Sequence, residues 1–103
     1  MRHYRKNWII SYDITDARRL RRVYRLCCDN AVTLQNSIFW AEFTSLELSE
    51  FLQALEEIID SGADSVKVLP VGSLNTLFLV GQSRLPEEME SLTNRLGSGY
   101  FDL

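Results

Sequence analysis

Asp13 closes an apolar run, Trp8-Ile9-Ile10-Ser11-Tyr12, and five arginines follow it within the eight residues from Arg18 to Arg25. A carboxylate delivered at the exit of a strand can anchor a hard divalent cation, because such ions take oxygen ligands. Guanidinium groups present paired N–H donors that match phosphate oxygens, and they stay charged at any physiological pH. Together these residue types suit a nucleic-acid backbone. Asp13 is the candidate metal ligand, and Arg18, Arg19, Arg22 and Arg25 are the candidate nucleic-acid contacts. The plainer readings are a turn or helix-capping carboxylate for Asp13 and a solvated basic helix face for the arginines.

The elements that must position these groups can be read from period and punctuation. Residues 7–13 have the short, apolar, partly β-branched character of a buried strand. Alternation puts Ser11 on the same side as Asp13 and sends Tyr12 the other way, into the core. From Asp16 the period changes. Leu20, Val23, Tyr24, Cys27 and Ala31 form the apolar stripe of a helix running to about Asn30, with Thr15 or Asp16 as its cap. Arg18, Arg22 and Arg25 fall opposite that stripe, and Arg19 and Arg21 flank it.

Residues 32–43 are β-like throughout but long for one strand, and Asn36-Ser37 is a candidate break, so one bent strand or two short ones are expected. Ser37 and Phe39 lie here as supporting site candidates, with Ser11. Phe39 and Trp40 must face opposite sides, so at most one can stack on a base, and Phe39 is expected in core or dimer packing. Thr44 and Glu47 make a capping-box signature. Leu48, Phe51, Leu52, Leu55, Ile58 and Ile59 then define a second helix ending near Gly62. Its acidic outside, Glu47, Glu50, Glu56, Glu57 and Asp60, reads as a solvated face that could also dock a basic protein. Ser65–Val71 and Thr76–Gly81 read as strands around a turn at residues 72–75. Pro86 suits the start of a short helix with Met89, Leu92, Thr93 and Leu96 inward. The apolar tail, Tyr100 to Leu103, is expected to pack on its own subunit or on a partner. The order strand, helix, strand or strands, helix, strand, strand implies an α+β sandwich of ferredoxin-like type, with two helices on one face of a mainly antiparallel sheet.

At 103 residues and 46% hydrophobic content the chain is sized for a single domain, 1–103, with a core over about 7–81 and an extension over 84–103. So modest a core makes pairing with a second copy natural, and the extension is expected to contribute to that dimer. The net charge of −3 hides a strong asymmetry. Residues 1–25 carry eight of the eleven Lys and Arg against Asp13 and Asp16, a local +6, and the remainder carries −9. Screening limits exposed charges to about 8 Å at physiological salt, so a polyanion responds to the patch rather than to the total. Cys27 and Cys28 are helix neighbours, poorly placed for a mutual disulfide, and with His3 they offer too few ligands for zinc. Trp8-Ile9-Ile10 is too short for a signal peptide's apolar region or a membrane span, and a reducing cytoplasm fits best.

Tyr12-Asp13-Ile14-Thr15-Asp16, then Arg18-Arg19 and Val23, then Gln35-x-Ser37-Ile38-Phe39, then Asp64-Ser65-Val66-Lys67-Val68, taken in this order, resemble the CRISPR-associated protein Two family, the small partner of the CRISPR integrase. The resemblance covers about residues 7–71 and extends loosely to Gly81. It implies a ferredoxin-like homodimer in which the first-strand aspartates of two chains, Asp13 here, face each other across the interface. It also implies a metal-dependent endonuclease for single-stranded RNA or double-stranded DNA, with Asp13 catalytic and holding Mg2+ or Mn2+, and a role at the centre of the complex that inserts new spacers. Two positions depart from the family pattern: Thr33 stands where a basic residue is usual, and Trp40 where an acidic one often follows Phe39.

Three functions are thus open. The dimer could cut phosphodiesters at paired Asp13 residues. It could instead be a non-catalytic scaffold that holds duplex DNA on Arg18, Arg19, Arg22 and Arg25 for a basic integrase partner. A generic RNA-binding ferredoxin-like module is the remotest, because the Lys/Arg-Gly-Phe/Tyr signature of that class is absent.

Overall fold

The apolar run within Lys6–Asp13 forms the first strand, β1, buried on both faces at Trp8, Ile9 and Ile10, in which Trp8, Ile10 and Tyr12 turn to one face and Ile9, Ser11 and Asp13 to the other. The computed structural model describes residues 4–71 and 101–103, and the strand, turn and short helix expected between residues 72 and 100 lie outside them. β1 is central. It pairs antiparallel with β3 (Ile38–Phe43) on one side and β4 (Ser65–Val71) on the other, so that Ile10 lies between Phe39 and Val68. β2 (Val32–Gln35) flanks β3 and the two-residue β5 (Phe101–Asp102) flanks β4, giving the order β2-β3-β1-β4-β5.

Two helices, α1 (Ala17–Asn30) and α2 (Ser45–Ile58), cover one face of this sheet. Trp8, Ile10 and Tyr12 of β1, Phe39, Ala41 and Phe43 of β3, and Val66 and Val68 of β4 pack with Val23 and Cys27 of α1 and Leu48, Phe51 and Leu55 of α2. Each large side chain buried there contributes roughly 1.5–3 kcal/mol. The result is the α+β ferredoxin-like sandwich that the order of elements implies. A smaller cluster, Ile9, Ile38 and Leu69 with Leu34, Trp40 and Val71, forms from the opposite set of strand positions.

Local chemistry sets the helix ends. Asp16 caps α1, its Oδ2 accepting from the Arg19 amide at 2.9 Å, while Thr15 turns to another partner. At α2 the capping box is complete: Thr44 Oγ1 accepts from the Glu47 amide at 3.2 Å, and Glu47 Oε1 accepts from the Thr44 amide at 2.9 Å. The same Glu47 oxygen accepts from Arg5 at 2.8 Å, tying the entry of β1 to the start of α2. α2 stops at Ile58, earlier than Gly62, because Asp60 Oδ1 accepts from the Gly62 amide at 2.9 Å and starts a turn instead.

Residues 32–43 are two strands, as the Asn36-Ser37 break allows, and Ser37 takes φ 63°, the left-handed conformation of a tight turn. The stripe on α1 is narrower than its period suggests. Val23 and Cys27 are buried, but Leu20 and Tyr24, at its edge, are 39% and 51% exposed. The tail completes the sheet of its own chain: Phe101 pairs with Val68, and Leu103 and Val66 exchange backbone hydrogen bonds at 2.8 and 3.2 Å. No helix among the described residues is long and apolar enough to cross a membrane.

Candidate active site and nucleic-acid interface

Asp13 is the last residue of β1 and is exposed, with Ser65 opposite it on β4. On its other side the β2–β3 turn arrives, where the Ser37 carbonyl accepts from the Tyr12 amide at 3.2 Å. Ser11, half-buried, shares the Asp13 face and lies between Ile38 and Lys67 in the two registers. The fold therefore gathers Asp13, Ser11 and Ser37 at one end of the central strand. Among the described residues no group of three or more His, Cys, Asp or Glu side chains comes together. A single exposed carboxylate fits a hard ion that keeps several waters and accepts phosphate oxygens, as Mg2+ does, and it does not fit a closed zinc centre.

The five arginines divide. Arg18, Arg21, Arg22 and Arg25 are exposed on α1, so the basic face is real and includes Arg21, which is not among the candidate contacts. Arg19, on the other flank, is drawn inward. Its Nε donates to Asp64 Oδ2 at 2.8 Å and its Nη2 to Asp64 Oδ1 at 3.2 Å, and the Asp64 side chain is fully buried. A guanidinium so engaged has few donors left for phosphate, which separates Arg19 from the other three candidates.

Asp64 has further partners. The Thr15 amide and hydroxyl donate to Oδ1 at 3.0 and 3.1 Å, and the Asp60 amide donates to Oδ2 at 2.9 Å. The Arg19 guanidinium, the Asp60 amide and Thr15 hold the Asp64 carboxyl well below the usual carboxylate range. Asp64 was legible only as part of a motif. An aspartate before an apolar run resembles any turn residue, and its partners Arg19 and Thr15 lie 45 and 49 positions away.

Phe39 is wholly buried, stacked on Tyr12 with centroids 6.1 Å apart and edge-on to Tyr24 at 5.9 Å. It is a core residue and offers no face to a base. Trp40 occupies the opposite side of β3 and donates from Nε1 to Asn7 Oδ1 at 3.2 Å. Burial pushes the Cys27 thiol up to about 12, whereas Cys28 is exposed.

A family model described as CRISPR associated protein Cas2 matches residues 6–75. A CRISPR-associated endoribonuclease Cas2 of Nitrosomonas europaea is 37% identical over 84 residues, covering 82% of this chain and 80% of the relative. One of Thermodesulfovibrio yellowstonii is 31% identical over 84 residues, covering 81% and 92%. Among solved structures, Streptococcus pyogenes Cas2 superposes with a TM-score of 0.60 at 31% identity, over 64% of this chain and 86% of that one. A hypothetical protein from Thermus thermophilus, at 22% identity, shares the fold with a TM-score of 0.65 over 67% and 84%. With its sheet order, its strand-end aspartate and a family match spanning most of its length, the chain belongs to the CRISPR-associated Cas2 family.

Proposed function

We propose that this protein is a cytoplasmic homodimer that binds nucleic acid beside the CRISPR integrase subunit during spacer acquisition, and that paired Asp13 residues cleave phosphodiester bonds in RNA or double-stranded DNA. The observation that carries the reading is Asp13 itself, an exposed carboxylate at the end of the central strand in a chain whose relatives are named endoribonucleases. Two such carboxylates, one from each protomer, would hold Mg2+ or Mn2+. When bound, the ion polarises a phosphoryl oxygen and lowers the pKa of a coordinated water. Arg18, Arg22 and Arg25 grip the phosphate backbone, with Ser11 and Ser37 beside the acting carboxylate. The acidic face of α2, with Glu50, Glu56 and Glu57 exposed and Asp60 in the turn beyond, offers a basic partner subunit a complementary surface.

The non-catalytic scaffold is the second reading, favoured by the arginine face, which is exposed whether or not Asp13 does chemistry. Asp13→Ala separates the two. Single-stranded RNA and duplex DNA are incubated with wild type and variant in Mg2+, with and without a chelator, and dimerisation is followed by light scattering. Cleavage that is chelator-sensitive and lost in Asp13→Ala, with the dimer and nucleic-acid affinity retained, supports the enzyme. Equal cleavage by the variant refutes it, and binding without cleavage in the wild type selects the scaffold.

A further inference from the structure

Three backbone segments converge on one buried carboxylate. Asp64 immediately precedes Ser65, the residue opposite Asp13 in the sheet. Its Oδ1 receives the Thr15 amide and hydroxyl, two residues beyond Asp13, and Arg19 in the first turn of α1 donates to both oxygens. The Asp60 amide reaches Oδ2 from the turn after α2, and Arg19 Nη2 also donates to Thr15 Oγ1 at 3.3 Å, closing the ring of contacts. No buried side-chain polar atom among the described residues lacks a partner, so the network is fully satisfied.

Satisfied networks of this kind hold one geometry, because each donor lost leaves a buried charge uncompensated. The segment they hold here is Asp13-Ile14-Thr15-Asp16, the link between the strand that ends in the candidate acting carboxylate and the helix that carries Arg18 and Arg22. Without the network, the Asp13 end of β1 would be secured on the β4 side only by its terminal ladder contact with Ser65, and strand ends fray.

We propose that Asp64 and Arg19 are a positioning pair for Asp13, fixing its carboxylate relative to β4 and to the outward arginines of α1 without touching substrate themselves. The proposal rests on the reading of Asp13 as the acting residue. It assigns Arg19 to the architecture of the site rather than to phosphate binding, and it makes Thr15 the contact through which the pair acts. Displacement of a reacting group by about 1 Å can cost on the order of 100-fold in rate. Loss of a residue that orients a metal ligand costs about 10–100-fold in affinity or activity.

Asp64→Asn and Thr15→Val, the latter exchanging only the hydroxyl for a methyl, are compared with Leu55→Ala, a core variant that takes no part in the network's hydrogen bonds, at a temperature where all three are folded. Two quantities are read: kcat and KM for cleavage of single-stranded RNA, and Mn2+-induced broadening of the amide resonances of residues 11–15. Positioning predicts that Asp64→Asn and Thr15→Val lower kcat by about 10–100-fold with little change in KM, and weaken Mn2+ broadening. Leu55→Ala should keep both at wild-type levels despite its lower melting temperature. Wild-type kcat and Mn2+ response in Asp64→Asn and Thr15→Val, or an equal loss in Leu55→Ala, overturns the proposal. Asp13→Asn that cleaves and binds Mn2+ like wild type overturns the functional reading, and the positioning role with it, by a different observation.

Discussion

Arg18, Arg22 and Arg25 are spaced four and three residues apart, so they line one side of α1 over about 10 Å, seven residues at roughly 1.5 Å each. A backbone lying along that side can meet three phosphates. Each neutralised phosphate adds about 0.9 to the slope of log K against log salt for duplex DNA and about 0.7 for a single strand. Replacing all three by Ala should therefore reduce the slope by about 2.7 for duplex DNA or about 2.1 for single-stranded RNA, for each helix that engages. Between 50 and 200 mM salt, the wild type should lose roughly 40-fold more affinity for the duplex than the triple variant does, or roughly 20-fold more for a single strand. Fluorescence anisotropy with labelled 30-mers at four salt concentrations measures both slopes. Arg19→Ala is the internal control, because its guanidinium donates to Asp64 and should contribute little to the slope while its loss lowers thermal stability. An unchanged slope in the triple variant, or a slope that falls by as much in Arg19→Ala as in the other single variants, refutes this division of the arginines.

Phe39→Ala removes a wholly buried ring from between Tyr12 and Tyr24 and should cost about 3–5 kcal/mol in urea unfolding. Phe39→Leu should leave nucleic-acid affinity unchanged, since the ring faces the core. The folded-state pKa of Asp64 is depressed, so its contribution to stability is fully present above the unfolded value of about 4 and is lost as pH falls toward the folded value. The stability gap between wild type and Asp64→Asn should then be wide at pH 7 and narrow between pH 4 and pH 2, read from urea midpoints. Cys28 should react with iodoacetamide in the native protein, while Cys27, buried and held protonated, should react only on unfolding, as counted by mass spectrometry under both conditions.

The parts of the fold that followed from sequence are those with a local cause. Alternation from Trp8 to Asp13, the Thr44 and Glu47 capping box and the break at Asn36-Ser37 each involve neighbours, and each recurs in the structure where the pattern puts it. Long-range features escaped. Arg18 and Arg19 are adjacent and chemically identical, and what separates them is a carboxylate 45 residues on. Leu20 and Tyr24 belong to the apolar period of α1 yet remain exposed, because Val23 and Cys27 alone form its buried line. Asp13 was found from its place at a strand end, but the turn beside it and Ser65 opposite become neighbours only through sheet register.

The central position of β1 also sets an order of events during synthesis. Asp13 leaves the ribosome early, but Ser65 and the Asp64 network lie about fifty residues downstream, which at about 5–20 residues per second is a delay of roughly 3–10 s. Contacts between residues so far apart form late, after the intervening chain has closed as a loop. Throughout that interval the arginines of α1 are already made, while Asp13 still lacks its β4 neighbour and the Asp64 network. On the proposed function, the segment that would grip a polyanion is therefore made before the site that would act on it can assemble.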